Sequence, residues 1–98
     1  MLHYQIQGEG PVWVFLHGFL ESSSMWEALP LSELPITSLF IDLPGHGKSG
    51  LLDQNPSIHA MAQEVQKVLV QLDIQKFVIV GHSMGAYVGL ELSQHPGF

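Results

Sequence analysis

"VIVGHSMGAYVG", Val78 to Gly89, sets a run of β-branched residues against a helix-like tail, with Ser83 at the junction and glycines at 81 and 85. A turn this abrupt between strand and helix holds its central residue in a strained backbone conformation and projects its side chain. Only glycines two before and two after it avoid steric clashes. The helix that begins at Met84 also aims its N-terminal N–H groups and dipole at the serine, which favours negative charge there.

Outward from this junction the chain alternates strands and helices. "LHYQIQ" alternates in polarity and ends at the turn "GEGP", and "VWVFL" follows as a continuous apolar run, the pattern of a strand buried on both faces. Ser24 followed three residues later by Glu27 reads as a capping box, which predicts a short helix through about Leu34, closed by Pro35. "TSLFIDL" is a third strand, followed by the glycine-rich "PGHGKSG". From Asn55-Pro56-Ser57, with proline in a first helical turn, Ile58, Met61, Val65, Val68, Leu69 and Leu72 recur at helical spacing. "KFVIV" is a fourth strand, and Met84 to Ser93 a second helix whose Gly85, Ala86 and Gly89 allow close approach to a sheet.

Buried strands alternating with helices predict an α/β fold, a mostly parallel sheet with helices on both faces, because right-handed crossovers place the helices there. Chemistry in such sheets gathers at the carboxyl ends of the strands. Here those ends are His17-Gly18-Phe19, Asp42 to Gly50, and Gly81-His82-Ser83. Ser83 is the candidate nucleophile. The Met84 N–H is one candidate oxyanion donor, and the Phe19 N–H, after the second strand, is the other.

Composition narrows the partners. The chain has 98 residues, 46% hydrophobic and 12% charged, which suits one small globular domain. Three lysines, no arginine and nine acids give a net charge of −6, which repels phosphate backbones and leaves no basic stripe for nucleic acid or anionic membrane. Without cysteine there are no disulfides, thiolate metal sites or cysteine nucleophile. The apolar runs fall short of the roughly 20 residues a membrane span requires, and no export signal opens the chain. A cytoplasmic protein is the expectation.

Other signatures fail on context. "GHGKSG" is literally G-x-G-x-x-G, but Gly50 to Asn55 intervene before any helix signal, so no dinucleotide site is expected. "DLPGHGKS" has Asp42 where a phosphate-binding loop needs its first glycine. His17, His46 and His82 lack a supporting carboxylate or an i, i+4 partner, so neither metal nor cofactor is expected. His3, His59 and His95 read as surface residues, and Asp42 as a loop organiser.

"FLHGFLESSSMW", "IDLPGHGKS" and "VIVGHSMGAYVGLEL" resemble, in order and spacing, the three amino-terminal blocks of α/β-hydrolase-fold enzymes, and together they cover nearly the whole chain. The resemblance implies the amino-terminal part of an α/β-hydrolase fold, with Ser83 as nucleophile and the Phe19 and Met84 N–H groups as oxyanion hole. His17, Gly18, His82 and Trp26 are expected around the substrate pocket, the two histidines bracing its loops. The four strands correspond to those usually counted second to fifth, the first being absent or reduced. A serine, rather than the aspartate of the similar dehalogenases, argues for acyl transfer. Tyr87 stands where the menaquinone-pathway synthase branch usually carries arginine, which favours a small neutral ester as substrate.

In this family an acid and a histidine follow the serine. After Ser83 the chain offers only Glu91 and His95, and at about 1.5 Å per residue His95 lies ~15 Å or more down the helix. The expectation is therefore one partial domain over 1–98, lacking the later strands, cap, acid and histidine, whose parent hydrolyses a carboxylic ester, thioester or related acyl bond. The alternative is a non-catalytic chain that self-associates or binds a complementing chain through its exposed last strand.

Overall fold

The computed structural model of the chain describes residues 2–18, 21–44 and 57–94. Four strands form one sheet: β1 (Tyr4–Gly8), β2 (Val12–Leu16), β3 (Thr37–Ile41) and β4 (Val78–Gly81), in the order β1-β3-β2-β4. β2 pairs in parallel with both β3 and β4, placing Val14 opposite Leu39 and Ile79. β1 is antiparallel to β3, with Ile6 opposite Leu39. The sheet is thus mostly parallel, with one antiparallel edge.

Side chains of the central strands alternate between two cores, as the pleat requires. Val14, Leu16, Leu39 and Ile41 face the helices α1 (Ile58–Gln71) and α2 (Met84–Gln94), meeting Met61, Val65, Val68, Leu69, Val88 and Leu92. Phe15 and Phe40 face the other way, against Trp26, Leu31 and Ile36. There the Phe15 ring lies 5.2 Å from Trp26 and 5.1 Å from Phe40, centroid to centroid. The continuous apolar reading of "VWVFL" follows from this two-sided burial. Leu69 is fully buried, so Leu69→Ala is expected to lower stability by about 2–5 kcal/mol, through lost transfer energy and a residual cavity. Urea unfolding followed by far-UV circular dichroism measures it.

The periodic helix of the sequence is α1, with Ser57 as N-cap accepting from the Ala60 N–H. Pro56 lies outside the described residues. The predicted helix up to Leu34 is instead two short 3-10 helices, Ser23–Ala28 and Leu31–Glu33, lying on the face opposite α1 and α2. Its cap is Ser22, whose side chain accepts from the Ser24 N–H, so the expected Ser24–Glu27 capping box does not form. Two physical causes explain the difference. Asp42 Oδ1 accepts the Ser23 N–H at 2.7 Å and starts the turn two residues early. Pro30 lacks an N–H and disfavours helical backbone at Leu29, which is extended at ψ 140. Among the described residues no helix is long and apolar enough to cross a membrane.

Candidate active site

β2 and β4 run side by side and end together, so the loop after Leu16 and the turn after Gly81 emerge at the same end of the sheet. Ser83 sits in that turn with φ 54°, in the left-handed region, and is exposed. A non-glycine residue there costs roughly 1–2 kcal/mol, so the surroundings must hold it in place. The His82 N–H donates to Leu16 O at 3.0 Å, which ties the turn to β2. The Gly85 and Ala86 N–H groups donate to His82 O and Ser83 O, each at 2.9 Å, which closes the turn into α2.

The two flanking glycines have distinct steric reasons. A Cβ on Gly81 would stand 2.7 Å from the backbone of Gly85 and Ala86, and one on Gly85 would run into Leu16 O and stand 2.7 Å from His17 O. The start of α2 is therefore pressed against the end of β2.

Among the described residues the Met84 N–H donates no hydrogen bond, as befits the first N–H of a helix, and Ser83 Oγ makes none either. An anion above the Ser83 side chain would thus meet a free donor and the positive end of the α2 dipole. Phe19, the second candidate donor, lies outside the described residues, as do His46 and His95.

His17 is fully buried. Its Nε2 accepts the Leu43 N–H at 2.9 Å, so Nδ1 carries the proton and donates to Gly18 O at 2.8 Å. The ring braces the ends of β2 and β3 with both nitrogens engaged. Asp42 is buried too, organising the loop through Ser23. His82 is exposed, with Nε2 3.6 Å from Glu21 Oε1, and Gly18 is buried beside it. Trp26 belongs to the second core and lines a surface cavity of about 320 Å³ with Gln5, Gln7 and Phe40; Ser83 is not among its lining residues. His59 lies on α1, 4.0 Å from Glu91. Among the described residues no group of three His, Asp or Glu side chains could hold a metal ion.

A family model described as the alpha/beta hydrolase family matches residues 13–97. The chain belongs to that family. It is 32% identical over 95 residues to a pimeloyl-[acyl-carrier protein] methyl ester esterase of Vibrio vulnificus, an alignment covering 96% of this chain and 35% of the esterase. It is 34% identical over 98 residues to a fluoroacetate dehalogenase of a Burkholderia species, covering 93% of this chain and 32% of the dehalogenase. The crystal structure of a hydrolase from Pseudomonas aeruginosa superposes with a TM-score of 0.89 at 26% identity, covering 96% of this chain and 37% of that one. The chain thus spans about a third of the length of the curated relatives it matches, and among α/β hydrolases a hydrolytic role is what they support.

One residue of the site, Glu21, has no place in the sequence reading. Its carboxylate accepts the Gly18 N–H at 3.1 Å and faces His82. The available signal was an acid three residues after the glycine of "HG" that no predicted helix needed.

Proposed function

We propose that Ser83 is the nucleophile of an acyl-transfer hydrolase, and that this chain supplies the nucleophile and the oxyanion-binding half of the site. The observation that carries the reading is the exposed Ser83 at φ 54°, followed by a Met84 N–H without an internal acceptor among the described residues. Ser83 Oγ attacks the carbonyl carbon of a carboxylic ester or thioester while a histidine base takes its proton. The carbonyl electron pair moves onto oxygen, where the Met84 and Phe19 N–H groups hold the negative charge. Collapse expels the alkoxide or thiolate, which takes the proton from the histidine. Water then repeats the sequence on the acyl-serine and releases the acid.

Neither His17, with both nitrogens engaged, nor His59, on α1 beside Glu91, is set to be that base. We place the base and its acid in the part of the relatives' length that this chain does not span. Turnover by the 98 residues alone should therefore be slow, leaving roughly 10³ to 10⁴ over water from the oxyanion hole and binding. An activated aryl acetate separates the steps, because deacylation needs the base more than acylation by a good leaving group does. Acid-quenched protein analysed by mass spectrometry should carry an acetyl group on Ser83. Unmodified Ser83 together with halide release from a haloacetate would contradict acyl transfer.

A second reading is favoured by the β4 edge. Among the described residues β4 pairs only with β2, and Val78 is 48% exposed; Tyr87 and Leu90 of α2 are exposed as well. No charge, proline or bulge protects Val78–Gly81, which is how an edge strand recruits another chain. Sedimentation velocity should show mass above 10.8 kDa that grows with concentration and falls in Val78→Lys. A monomer at every concentration would count against edge pairing.

A further inference from the structure

We propose that Glu21 is a positioning residue that joins the two halves of the oxyanion site, a proposal resting on the reading of Ser83 as nucleophile. The halves come from different crossovers: the loop after β2 supplies Gly18 and then Phe19, and the turn after β4 supplies His82, Ser83 and Met84. Up to His17 the two are fixed by backbone, through the His82 N–H on Leu16 O and the close approach of Gly85. Beyond that point, among the described residues, the Glu21 side chain ties the two together. One oxygen, Oε1, accepts the Gly18 N–H at 3.1 Å and lies 3.6 Å from His82 Nε2, beside the serine.

The same residue closes the loop on itself. The Glu21 N–H donates to Gly18 O at 3.2 Å while the Glu21 carboxylate takes the Gly18 N–H, so Gly18 and Glu21 are bound to each other twice. Gly18 O also receives the His17 Nδ1–H. Both backbone polar groups of Gly18 are thereby engaged inside the protein. The Gly18 N–H therefore cannot donate to a substrate oxygen. With side-chain exposures of 37% for Glu21 and 56% for His82, the contact is a weak contributor to stability, so its effect should be read in geometry.

The test compares wild type, Glu21→Gln, Glu21→Ala and His82→Ala in the 98-residue protein. Gly18 amide exchange, measured by NMR, should speed up at least about tenfold in Glu21→Ala and stay near wild type in Glu21→Gln, which keeps an oxygen acceptor. The His82 ring nitrogen resonances, at one fixed pH, should move in both Glu21 variants, since both lose the carboxylate charge. The rate of Ser83 phosphonylation by a fluorophosphonate should fall about tenfold in Glu21→Ala and recover in Glu21→Gln. An unchanged Gly18 amide in a folded Glu21→Ala, or unchanged His82 resonances, would overturn the proposal. Should Glu21→Ala not fold, Glu21→Gln and His82→Ala decide it: static His82 resonances in the first, or perturbed Gly18 exchange in the second without change at Glu21, would be contrary results. If wild-type Ser83 takes no probe at all, the nucleophile reading fails, while the amide and imidazole resonances still decide the tether.

Discussion

Ser83→Ala is expected to lose all covalent modification by fluorophosphonates and activated esters while keeping its fold. Eight other serines remain in the chain, but ordinary serine hydroxyls are not nucleophilic at neutral pH, so removing the one that among the described residues is both strained and exposed should remove the reaction. Ser83→Gly extends the prediction. Glycine occupies a φ of 54° without steric penalty, so this variant should be as unreactive as Ser83→Ala yet more stable than wild type by up to about 1 kcal/mol. Intact-mass spectrometry reads the first effect and urea unfolding the second. A gain of stability with loss of reaction would show directly that the fold is strained at its reactive residue. A Ser83→Gly variant less stable than wild type would contradict that account.

Gly85→Ala should be strongly destabilising. Its Cβ would meet Leu16 O and His17 O, backbone atoms of the central strand that cannot turn aside. Overpacking of this kind usually costs about 1–3 kcal/mol, and here the cost should reach the upper end or beyond because the helix must leave the sheet. Domains of this size carry only about 0.05–0.15 kcal/mol of stability per residue, so such a loss removes a large share of the total. Gly81→Ala, whose Cβ would face the backbone of Gly85 and Ala86, should behave similarly. Gly89→Ala is the control: its Cβ would meet the side chain of Ile79, which can rotate, and alanine restores about 1 kcal/mol of helix propensity. Thermal and urea unfolding of the three variants should rank Gly85 and Gly81 well above Gly89 in cost. Equal losses would show that close packing at the turn is not what these glycines serve.

Most of the fold was legible in the sequence because its signals are local. The β-branched runs became β2, β3 and β4, and the periodic Met61, Val65, Val68 and Leu69 became the buried face of α1. The expected helix before Leu34 failed for a non-local reason: Asp42, at the end of β3, captures the Ser23 N–H and resets the start, and Pro30 then splits the segment. The antiparallel direction of β1 depends on pairing with β3, which no pattern within "LHYQIQ" encodes. At the site, Ser83 was legible because its glycines are sequence neighbours. Glu21 was not, because its meaning arises only where the end of β2 comes beside His82. His17 was expected as a brace and as part of the pocket surroundings. Its complete burial, with a hydrogen bond on each nitrogen, gives it the bracing role in the structure.

The central claim, that this fold prepares Ser83 to attack and supplies a donor for the resulting oxyanion, is tested most directly by the rate of fluorophosphonate reaction with the 98-residue protein, folded and in denaturing urea, with the adduct mapped by peptide sequencing. The account predicts one adduct, on Ser83, forming in the folded protein at least about tenfold faster than in the unfolded chain, because the strained turn and the Met84 N–H exist only in the fold. Equal rates in the two states, or an adduct on any other serine, would contradict it.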